Sequence, residues 1–485
     1  MDRRTFLGSA AAGLSQLVAA DQRRTNVLFI LADEWRSSAF SECGDPMGST
    51  PTFSRLAGEG VRWSRMYSAN PVCTPNRSCI LTGRFSHQHG MTHNDIMLPP
   101  GEKCIAEVFS EAGYATHYIG KWHMDGPEKP GFVPPGWRRR GFQTFEGFNR
   151  GHYYPAGAQY FTNDGEFLKP DIYEPTYQTD LAMAFMKRNR AWPFYCYLSW
   201  GPPHPPYRTI KEWDRYDPNK LAWRPNVPES IRADGAWRKN TAGYYGSCSA
   251  LDYDLGRLMK LLEEEGLANN TLIVFTSDHG DMLGSHGLSA KSKPEDESLH
   301  IPLYMRLPGR IRGRQVADTL ASSVDLTPTI LSICGLKTPR GVAGKDLSAA
   351  ALGGPKPKVD SIYAEGMMRA NETAQARPAA RKKAQKGGEE DSGPAGVSLG
   401  KEWRCLVTPS HKLAVRYDGT VAALWDMEKD PYEMKNLAGE RSAAALEKDL
   451  LARLKRWGLE TGDAFPRVTP PAKGLYTDEE AARAR

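Results

Sequence analysis

Two apolar segments, each followed by acidic residues, constrain most strongly how this chain can fold. Residues 26–32 are rich in Val, Leu, Ile and Phe and run into Asp33 and Glu34, and residues 271–277 run in the same way into Asp278. Apolar runs bounded by turn residues are typical of parallel strands that are covered on both faces. Because ligands bind outside the carboxyl ends of such strands, we expect the two acidic ends to meet at one site.

Helix and strand patterns alternate between these two segments. The predicted helices are 105–112, 177–189 and 251–265, and the predicted strands are 115–119 and 194–200. Residues 127–176 are rich in Pro, Gly and aromatic residues, which indicates long ordered loops that shape a pocket. The alternation predicts an α/β fold with a large, mixed but mostly parallel sheet that is flanked by helices.

The composition changes after about residue 355. Residues 374–400 are rich in Ala, Lys, Gly and Glu and poor in large apolar residues, which predicts a disordered insertion. The predicted strands 403–407, 412–417 and 421–425 follow it, and then a predicted amphipathic helix at 443–457. We therefore expect a catalytic domain over 21–355, a smaller C-terminal α+β domain (antiparallel sheet plus helix) over 356–465, and a tail over 466–485.

Composition excludes several classes of protein. With 485 residues, of which 40% are hydrophobic and 25% charged, the chain can form a large core and a smaller second unit. Its formal charge of +6 is not concentrated in one basic stripe, so we expect no nucleic-acid partner. The eight cysteines are dispersed without a CxxC pair, which argues against a zinc ribbon or a disulfide scaffold but leaves one or two disulfides open.

The first 20 residues resemble a twin-arginine export signal. Arg3 and Arg4 precede a weakly apolar stretch over 7–18, which is too short and too rich in Ala and Gly to span a bilayer. No later stretch approaches ~20 uninterrupted apolar residues, so we expect no stable membrane span. We expect export by the twin-arginine machinery and a periplasmic or secreted protein. The alternative is a basic N-terminus without a targeting role.

The segment that begins at Cys73 combines a nucleophile with a predicted helix start. Thr74 can cap the helix and Pro75 can open it, which puts Cys73 just before a helix N-terminus, where the dipole favours an anion. Arg77, one turn later, could point toward the same place. Together these residues describe a site for a tetrahedral oxyanion. The alternative is a buried cysteine in a loop with a surface arginine.

The stretch from Cys73 to Arg84 resembles the signature of the type I, formylglycine-dependent sulfatases of the alkaline phosphatase-like superfamily. That signature reads Cys-x-Pro-Ser-Arg and then Leu-Thr-Gly-Arg, and this chain has Asn76 in place of the Ser. The resemblance implies that a formylglycine-generating maturase converts Cys73 to formylglycine (3-oxoalanine). Because the Cys, Pro and Arg of the motif are present, we expect this conversion to tolerate Asn76.

Further elements match the family in order, so that the resemblance spans roughly residues 25–460. They are the acidic pair after the first strand, Gly-Lys-Trp-His at 120–123, Pro-His-Pro-Pro at 203–206, Ser-Asp-His-Gly-Asp at 277–281, Lys291 and Leu-Trp-Asp at 424–426. Single elements have ordinary alternatives, such as a helix cap at Asp278 or a rigid turn around His204. His87, His89 and His93 lie near the signature, and we expect structural roles for them.

The resemblance also implies a metal and a set of catalytic residues. Carboxylate oxygens suit a hard cation, and the family implies Ca²⁺ rather than Mg²⁺. The implied metal ligands are Asp33, Glu34, the modified Cys73, Asp278 and His279, and the implied catalytic residues are Cys73, Arg77, Lys121, His123, His204 and Lys291. Glu34 stands where the family commonly has Asp, and His279 where many members have Asn, so His279 could contact a sulfate oxygen instead of the metal.

In this interpretation Arg77 and Lys121 hold the formylglycine hydrate, His204 and Lys291 contact the sulfate and the leaving alcohol, and His123 is the base. The predicted function is a sulfuric ester hydrolase that acts on a sulfated carbohydrate. Two alternatives are a phosphonate monoester or phosphodiester hydrolase of the same superfamily and an inactive protein that binds sulfated glycans. The aromatic and basic residues at 137–140 and 153–154 are candidates for lining the substrate pocket.

Overall fold

The computed structural model describes residues 24–154, 159–366, 399, 402–463 and 475–484. The predicted export signal at 1–20 lies outside these residues, as does the predicted insertion at 374–400 apart from Leu399. Leu399 is buried in a hydrophobic cluster of the C-terminal sheet.

The strands and helices of the described residues, in chain order, are as follows. The strands are β1 (Asn26–Asp33), β2 (Val61–Trp63), β3 (Met66–Tyr67), β4 (Ala115–Lys121), β5 (Thr144–Phe148), β6 (Tyr160–Phe161), β7 (Phe167–Leu168), β8 (Phe194–Pro203), β9 (Thr271–Ser277), β10 (His300–Ile301), β11 (Leu303–Arg306), β12 (Gln315–Ala317), β13 (Ala321–Ser322), β14 (Ile362–Gly366), β15 (Trp403–Val407), β16 (His411–Arg416) and β17 (Val421–Asp426). The α-helices are α1 (Pro51–Glu59), α2 (Cys73–Thr82), α3 (Ser86–His89), α4 (Ile105–Glu111), α5 (Glu174–Arg188), α6 (Glu229–Ala233), α7 (Gly235–Glu264), α8 (Asp296–Leu299), α9 (Leu326–Ile333), α10 (Ser348–Ala351), α11 (Ala444–Thr461) and α12 (Asp478–Ala484). Short 3-10 helices lie at Ser41–Cys43, Trp137–Arg139, Lys211–Trp213, Ala268–Asn270, Ser285–Gly287, Ser323–Asp325 and Arg441–Ala443.

The main sheet is mixed, with a parallel centre. Its strand order is β12-β2-β11-β9-β1-β8-β4-β5-β6-β7. The five neighbours β9, β1, β8, β4 and β5 run parallel, whereas β11 and β6 continue the sheet antiparallel on either side. β1 and β9 are direct neighbours, with Asn26 opposite Thr271 and Ala32 opposite Ser277. The predicted α/β fold with a large, mostly parallel sheet is confirmed.

The central strand β1 is covered on both faces, as its sequence predicts. Val27, Phe29 and Leu31 belong to one hydrophobic cluster, and the alternating Leu28 and Ile30 belong to a second cluster on the opposite face. Successive side chains of a strand point to opposite sides, so this division places a core on each face of the sheet. The long helix α7 supplies much of the second core.

Two predictions of secondary structure are wrong in part. The helix predicted at 251–265 begins sixteen residues earlier, at Gly235, where the Asp234 side chain caps it by accepting hydrogen bonds from two backbone amides. Residues 241–250 contain Gly, Ser and Tyr, which are weak helix formers, but they are all buried, and tertiary packing overrides propensity. The loops predicted over 127–176 contain β5, a parallel strand of the main sheet, and also the antiparallel pair β6 and β7.

The C-terminal unit is a four-stranded antiparallel sheet in the order β14-β15-β16-β17, against which the helix α11 packs. This confirms the predicted smaller α+β domain, although its first strand, β14, was not predicted. In the predicted tail, α12 lies against the catalytic domain, where Asp478 accepts a hydrogen bond from the Trp137 indole at 2.7 Å.

Two further expectations concern membranes and disulfides. Among the described helices, none combines the length and the apolar character that a bilayer crossing requires. All eight cysteines lie in described residues and all are free thiols in this structure. No disulfide therefore contributes to the fold that the structure describes.

Candidate active site

The site lies at the carboxyl ends of four adjacent parallel strands. Asp33 is the last residue of β1, Asp278 directly follows β9, Lys121 is the last residue of β4, and His204 directly follows β8. These strands are neighbours in the order β9, β1, β8, β4, so their ends deliver two carboxylates, an ammonium group and an imidazole to one place. The predicted meeting of the two acidic strand ends is confirmed.

Four potential ligand atoms form a compact, fully buried group. Asp33, Cys73, Asp278 and His279 each place one such atom within 4.8 Å of the others. The thiol of Cys73 lies 3.2 Å from Nε2 of His279 and 3.8 Å from Oδ1 of Asp33. The other ring nitrogen of His279, Nδ1, lies 3.0 Å from the carbonyl oxygen of Gly280. If Nδ1 carries the proton, the lone pair of Nε2 faces the acidic group.

Arg77 donates hydrogen bonds to both carboxylates of the acidic group. Its Nε donates to Asp278 at 2.9 Å and its Nη2 to Asp33 at 3.0 Å, and its Nη1 donates to the carbonyl oxygen of Lys121 and to the Ser199 hydroxyl, each at 2.8 Å. The guanidinium is buried, so all of these charge-assisted bonds are shielded from water. Arg77 therefore positions the acidic group, and its predicted contact with a formylglycine hydrate stays a prediction.

Lys121 supplies a second cation to the same carboxylate. Its ammonium group lies 2.6 Å from Oδ2 of Asp33. Burial raises the pKa of Asp33, but Lys121, His204 and Arg77 together hold that pKa well below its usual range. Asp33 is therefore a carboxylate at neutral pH.

Cys73 is the first residue of α2 rather than the residue before it. The N-cap is Val72, whose carbonyl oxygen accepts from the Asn76 amide at 2.9 Å. The predicted cap, Thr74, instead donates its hydroxyl to the carbonyl oxygen of His123 at 2.7 Å. Burial and Asp33 raise the pKa of the Cys73 thiol, but Lys121 and Lys291 lower it, and the net pKa lies below the ordinary value.

Asn76, which departs from the family signature, is a fully buried connector. Its amide nitrogen donates to the carbonyl oxygen of Asp278, and its Oδ1 accepts from the Ser323 hydroxyl at 2.5 Å. Both groups of the amide are therefore used, one on the acidic loop after β9 and one on the segment before α9. A serine could not reach both partners with one hydroxyl.

Glu34 lies beside the acidic group and is held by one ammonium group and one imidazole. Its Oε2 lies 2.7 Å from Nζ of Lys291 and 3.1 Å from Nε2 of His204. Burial raises the pKa of Glu34 to about 8, although Lys291 opposes the change. Its Oε1 is buried and has no hydrogen-bond partner among the residues that the structure describes. Glu34 has a φ of 71°, a conformation that costs roughly 1–2 kcal/mol outside glycine.

His152 is a site residue that the sequence did not indicate. Its ring stacks on that of His204, with centroids 3.6 Å apart and planes 6° apart, and its Nε2 lies 3.1 Å from Nζ of Lys121. Burial lowers the pKa of His152 well below the usual value, and the adjacent His204 and Lys121 lower it further. Burial and Lys291 do the same for the pKa of His204. Both imidazoles are therefore neutral near pH 7.

His123 forms a second buried pair, with Asp95. Its Nε2 lies 3.0 Å from Oδ1 of Asp95, whose other oxygen lies 2.8 Å from the Arg150 guanidinium. The remaining ring nitrogen, Nδ1, is buried and has no hydrogen-bond partner in the described part of the chain. His123 has a φ of 60°, so its backbone, like that of Glu34, is in the left-handed region. Neither Asp95 nor Arg150 belongs to a motif that could have pointed to it.

The other sequence candidates have mainly structural contacts. His87 pairs with Glu365 of the C-terminal sheet at 3.0 Å, which agrees with the structural role expected for it. Of the residues proposed to line the pocket, Arg139 and Arg140 are buried and donate to backbone carbonyl groups, so they are unavailable to a substrate. Tyr154 is also buried, and its hydroxyl donates to the carbonyl oxygen of His204.

The comparison with known families agrees with this geometry. A family model described as Sulfatase matches residues 25–336, a range that contains Cys73 and every strand end of the site. This chain belongs to the sulfatase family. As a sulfatase of the alkaline phosphatase-like superfamily it is an enzyme, and the recognition based on its signature is confirmed.

Individual relatives cover most of this sulfatase. The Ulvan-active sulfatase of Formosa agariphila is 31% identical over 450 residues, which are 91% of this chain and 82% of that protein. The N-acetylglucosamine-6-O-sulfatase of Bacteroides thetaiotaomicron is 26% identical over 525 residues, covering 92% of this chain and 88% of that protein. A solved structure described as sulfatase YidJ from Bacteroides fragilis superposes with a TM-score of 0.79 at 26% identity, covering 92% and 97% of the two chains.

Proposed function

We propose that this sulfatase releases inorganic sulfate from a sulfated carbohydrate, with Cys73, converted to formylglycine, as the reacting residue. The observation that carries the proposal is the position of Cys73 at the start of α2, within 3.8 Å of Asp33 and His279. Three cations surround the same place: the buried Arg77 and Lys121 and the half-buried Lys291. A sulfate ester is a tetrahedral anion, and this combination of a helix N-terminus and cations suits one.

The donor atoms of the acidic group fit a hard divalent cation. Asp33 and Asp278 offer carboxylate oxygens, and Glu34 offers Oε1, a buried oxygen without a partner in the described residues. Oxygen-rich groups of this kind suit Ca²⁺ or Mg²⁺, and we propose Ca²⁺, held by these residues, with His279 and residue 73 beside them. When bound, the cation offsets the negative charge of the sulfate oxygens and acidifies the hydroxyl of residue 73.

The surroundings of residue 73 also fit a formylglycine side chain. Lys121 and Lys291 lower the pKa of the Cys73 thiol, whereas burial and Asp33 raise it, and the net pKa is below the ordinary value. The hydrated aldehyde of formylglycine supplies one hydroxyl that attacks sulfur and a second that allows sulfate to be expelled, a step that a thiol cannot perform. Conversion of Cys73 therefore decides whether the protein is active.

The chain's own cations compensate for the charge at the reacting centre. Arg77 keeps Asp33 and Asp278 apart and fixed through its bonds to both carboxylates. Lys121 is held by Asp33, and Lys291 is held by Glu34. The remaining N–H groups of both lysines can donate to sulfate oxygens. Because all three side chains are held by buried partners, little reorganisation is needed when a sulfate binds.

His123 is the proposed base, and its contacts define which nitrogen acts. Asp95 accepts at Nε2, so the neutral ring carries its proton there and presents the lone pair of Nδ1. Nδ1 has no competing partner in the described residues and can take a proton from residue 73.

Among the relatives, the Formosa agariphila and Bacteroides thetaiotaomicron proteins are named for ulvan and for N-acetylglucosamine 6-O-sulfate, and these names support a carbohydrate substrate.

His204 is the group proposed for the leaving alcohol. Its Nε2 lies 3.1 Å from Glu34, its Nδ1 lies 2.7 Å from the carbonyl oxygen of Pro205 and its ring stacks on His152, so the orientation of the ring is fixed. Lys291 lies 2.7 Å from the same oxygen of Glu34. Because His204 is neutral near pH 7, the ammonium group of Lys291 is the donor to the ester oxygen, and His204 must take up a proton before it can donate.

The test combines peptide mass spectrometry with sulfate release. Protein made with a maturase should show the loss of about 18 Da from Cys73 that separates a thiol from an aldehyde, and it should release sulfate from an aryl sulfate. Cys73→Ala should abolish release, whereas the control Cys43→Ala, at a half-buried free thiol, should retain it. Active protein with an unconverted thiol would overturn the mechanism. Faster cleavage of a matched phosphonate monoester than of the sulfate would overturn the substrate class.

A further inference from the structure

Two surface cavities lie along α7. One has a volume of about 760 Å³ and is lined by Tyr207, Arg208, Arg215 and Lys239, among others. The second, of about 720 Å³, shares Arg215 and continues to Trp213 and to Tyr253 of α7. Because the two cavities share Arg215, we describe them together as one groove. Cys73 is not among the residues that line it.

The near end of the groove is tied to the active site through Tyr207. This residue follows His204 by three positions, and its hydroxyl donates to Oδ2 of Asp281 at 2.6 Å. Asp281 is buried three residues after Asp278, and its charge contributes to the raised pKa of Glu34. Tyr207 thus contacts the acidic loop after β9 with its hydroxyl and also lines the first cavity, which places this cavity near the active site.

The first cavity offers cations that have no partner of their own. Arg208 and Lys239 are exposed, and neither forms an ion pair within the described ranges. Arg215 lies with its guanidinium 4.1 Å above the ring of Trp213. Two acids, Asp214 and Asp217, also line the cavity, and Asp217 already has Lys220 at 3.7 Å. The cations thus outnumber the acids, and they are free to bind an anion.

The second cavity has two aromatic rings among its lining residues. The rings of Trp213 and Tyr253 lie 5.4 Å apart at an angle of 46°, and Tyr253 is 56% exposed, so a ligand can reach this ring pair. The lining also contains the charged residues Arg215, Asp252, Arg257, Lys260 and Glu264, of which Lys260 and Glu264 lie 3.6 Å apart. Exposed rings of this kind suit the apolar C–H face of a sugar ring.

We infer that this groove binds further sugar residues of an anionic carbohydrate substrate beyond the sugar whose sulfate ester is cleaved. The inference rests on the proposed function and deepens it. Arg208 and Lys239 bind sulfate or carboxylate groups of the neighbouring sugars, and Trp213 and Tyr253 stack on sugar rings further along. The groove therefore makes the protein selective for chains over single sugars.

The experiment compares long and short substrates in paired variants. Arg208→Ala/Lys239→Ala and, separately, Trp213→Ala should each raise KM for a sulfated oligosaccharide at least tenfold, while kcat/KM for an aryl sulfate changes less than twofold. The matched control, Lys455→Ala/Arg456→Ala, removes the same charge from exposed positions of α11 and should change neither. Equal effects on the long and short substrates in the groove variants would overturn the inference.

A binding measurement separates this inference from the proposed function. Cys73→Ala protein should bind dextran sulfate but not unsulfated dextran, and the groove substitutions should weaken that binding at least tenfold. The effect of Trp213→Ala, which changes no charge, distinguishes stacking from general attraction to a polyanion. Unchanged binding in all groove variants would overturn the groove, whereas absence of sulfate release from every ester by converted wild-type protein would overturn the proposed function alone.

Discussion

The carboxylate of Asp95 lies 3.0 Å from Nε2 of His123, on the side of the ring opposite Nδ1, for which the described residues offer no hydrogen-bond partner. His123 is also held by its own backbone, whose φ of 60° is rare outside glycine. The two constraints together fix the orientation of the ring and the nitrogen that carries its proton. Asp95 therefore acts as a positioning residue for the proposed base.

Removing the Asp95 carboxylate should slow turnover without weakening substrate binding. Asp95→Ala loses a hydrogen bond to a charged partner, about 1.5–3 kcal/mol, which corresponds to roughly a 10–100-fold lower kcat. KM should change less than twofold, and Asp95→Asn, which keeps an acceptor oxygen, should recover part of the rate. Steady-state kinetics with an aryl sulfate measure this, with the exposed Asp171→Asn as control. A change in KM alone would contradict the assignment.

Restoring the serine of the family signature at position 76 should destabilise this protein. Asn76→Ser leaves the Ser323 hydroxyl without its acceptor and removes one of the donors to Asp278, at a cost of about 1–3 kcal/mol. Conversion of Cys73, read by peptide mass spectrometry, should be unchanged, because Cys73, Pro75 and Arg77 are untouched. Thermal denaturation measures the loss, and Asn219→Ser on the exposed surface serves as the control. An unchanged Tm would show that the two hydrogen bonds contribute nothing.

Removing the divalent cation should lower both stability and activity. A ligand at 100 times its Kd stabilises the folded state by about 2.7 kcal/mol, so exhaustive chelation should reduce the Tm measurably. Added Ca²⁺ should restore the Tm and sulfate release at lower concentrations than Mg²⁺. Asp278→Asn should abolish the Tm response to Ca²⁺, whereas Asp254→Asn, at a buried carboxylate paired with Arg257, should keep it. Full activity of chelated protein with an unaltered Tm would contradict the metal site.

The contact between the two domains should weaken as the pH rises. Burial lowers the pKa of His87, but Glu365, Asp463 and the Thr461 carbonyl raise it, and the folded-state pKa lies above the unfolded value of about 6.5. The stabilisation is therefore complete below about pH 6.5 and is lost as the pH rises through the raised folded value. His87→Gln should remove this dependence on pH. Denaturant unfolding at pH 6.0 and 8.5 measures the free energy of unfolding of each protein, with His411→Gln as control. An equal change in this free energy between the two pH values for wild type and His87→Gln would contradict the prediction.

The central sheet and the acidic strand ends were predictable because their signals are local. A strand that is buried on both faces must be apolar along its whole length, and β1 and β9 both carry this pattern up to the acid that follows. By contrast, β5 lies in a segment full of Pro, Gly and aromatic residues, and only its pairing with β4 makes it a strand. The first half of α7 likewise owes its helix to burial rather than to propensity.

The same distinction applies to the active site. Cys73, Asp33 and Lys291 lie in motifs, whereas His152 and Asp95 reach the site on loops whose course depends on the folded structure. No spacing rule connects His152 to Lys121 or Asp95 to His123, since the two contacts span 31 and 28 residues of chain, with helices or strands in between. Arg77 shows a different limit, because the motif identifies the residue but not the two carboxylates that it holds.

Burial of α2 sets a time limit on the making of this enzyme. All ten residues of the helix, from Cys73 to Thr82, are buried. Asp278, which contacts Asn76 and Arg77 of this helix, follows β9, about 200 residues later in the chain. At ~5–20 residues per second, synthesis of that stretch takes on the order of 10–40 s. In the proposed conversion, a maturase would have this interval, while Cys73 is still on an incomplete sheet, to reach the thiol. Chains that complete the sheet first would then be folded molecules that keep the thiol and lack the proposed catalytic residue.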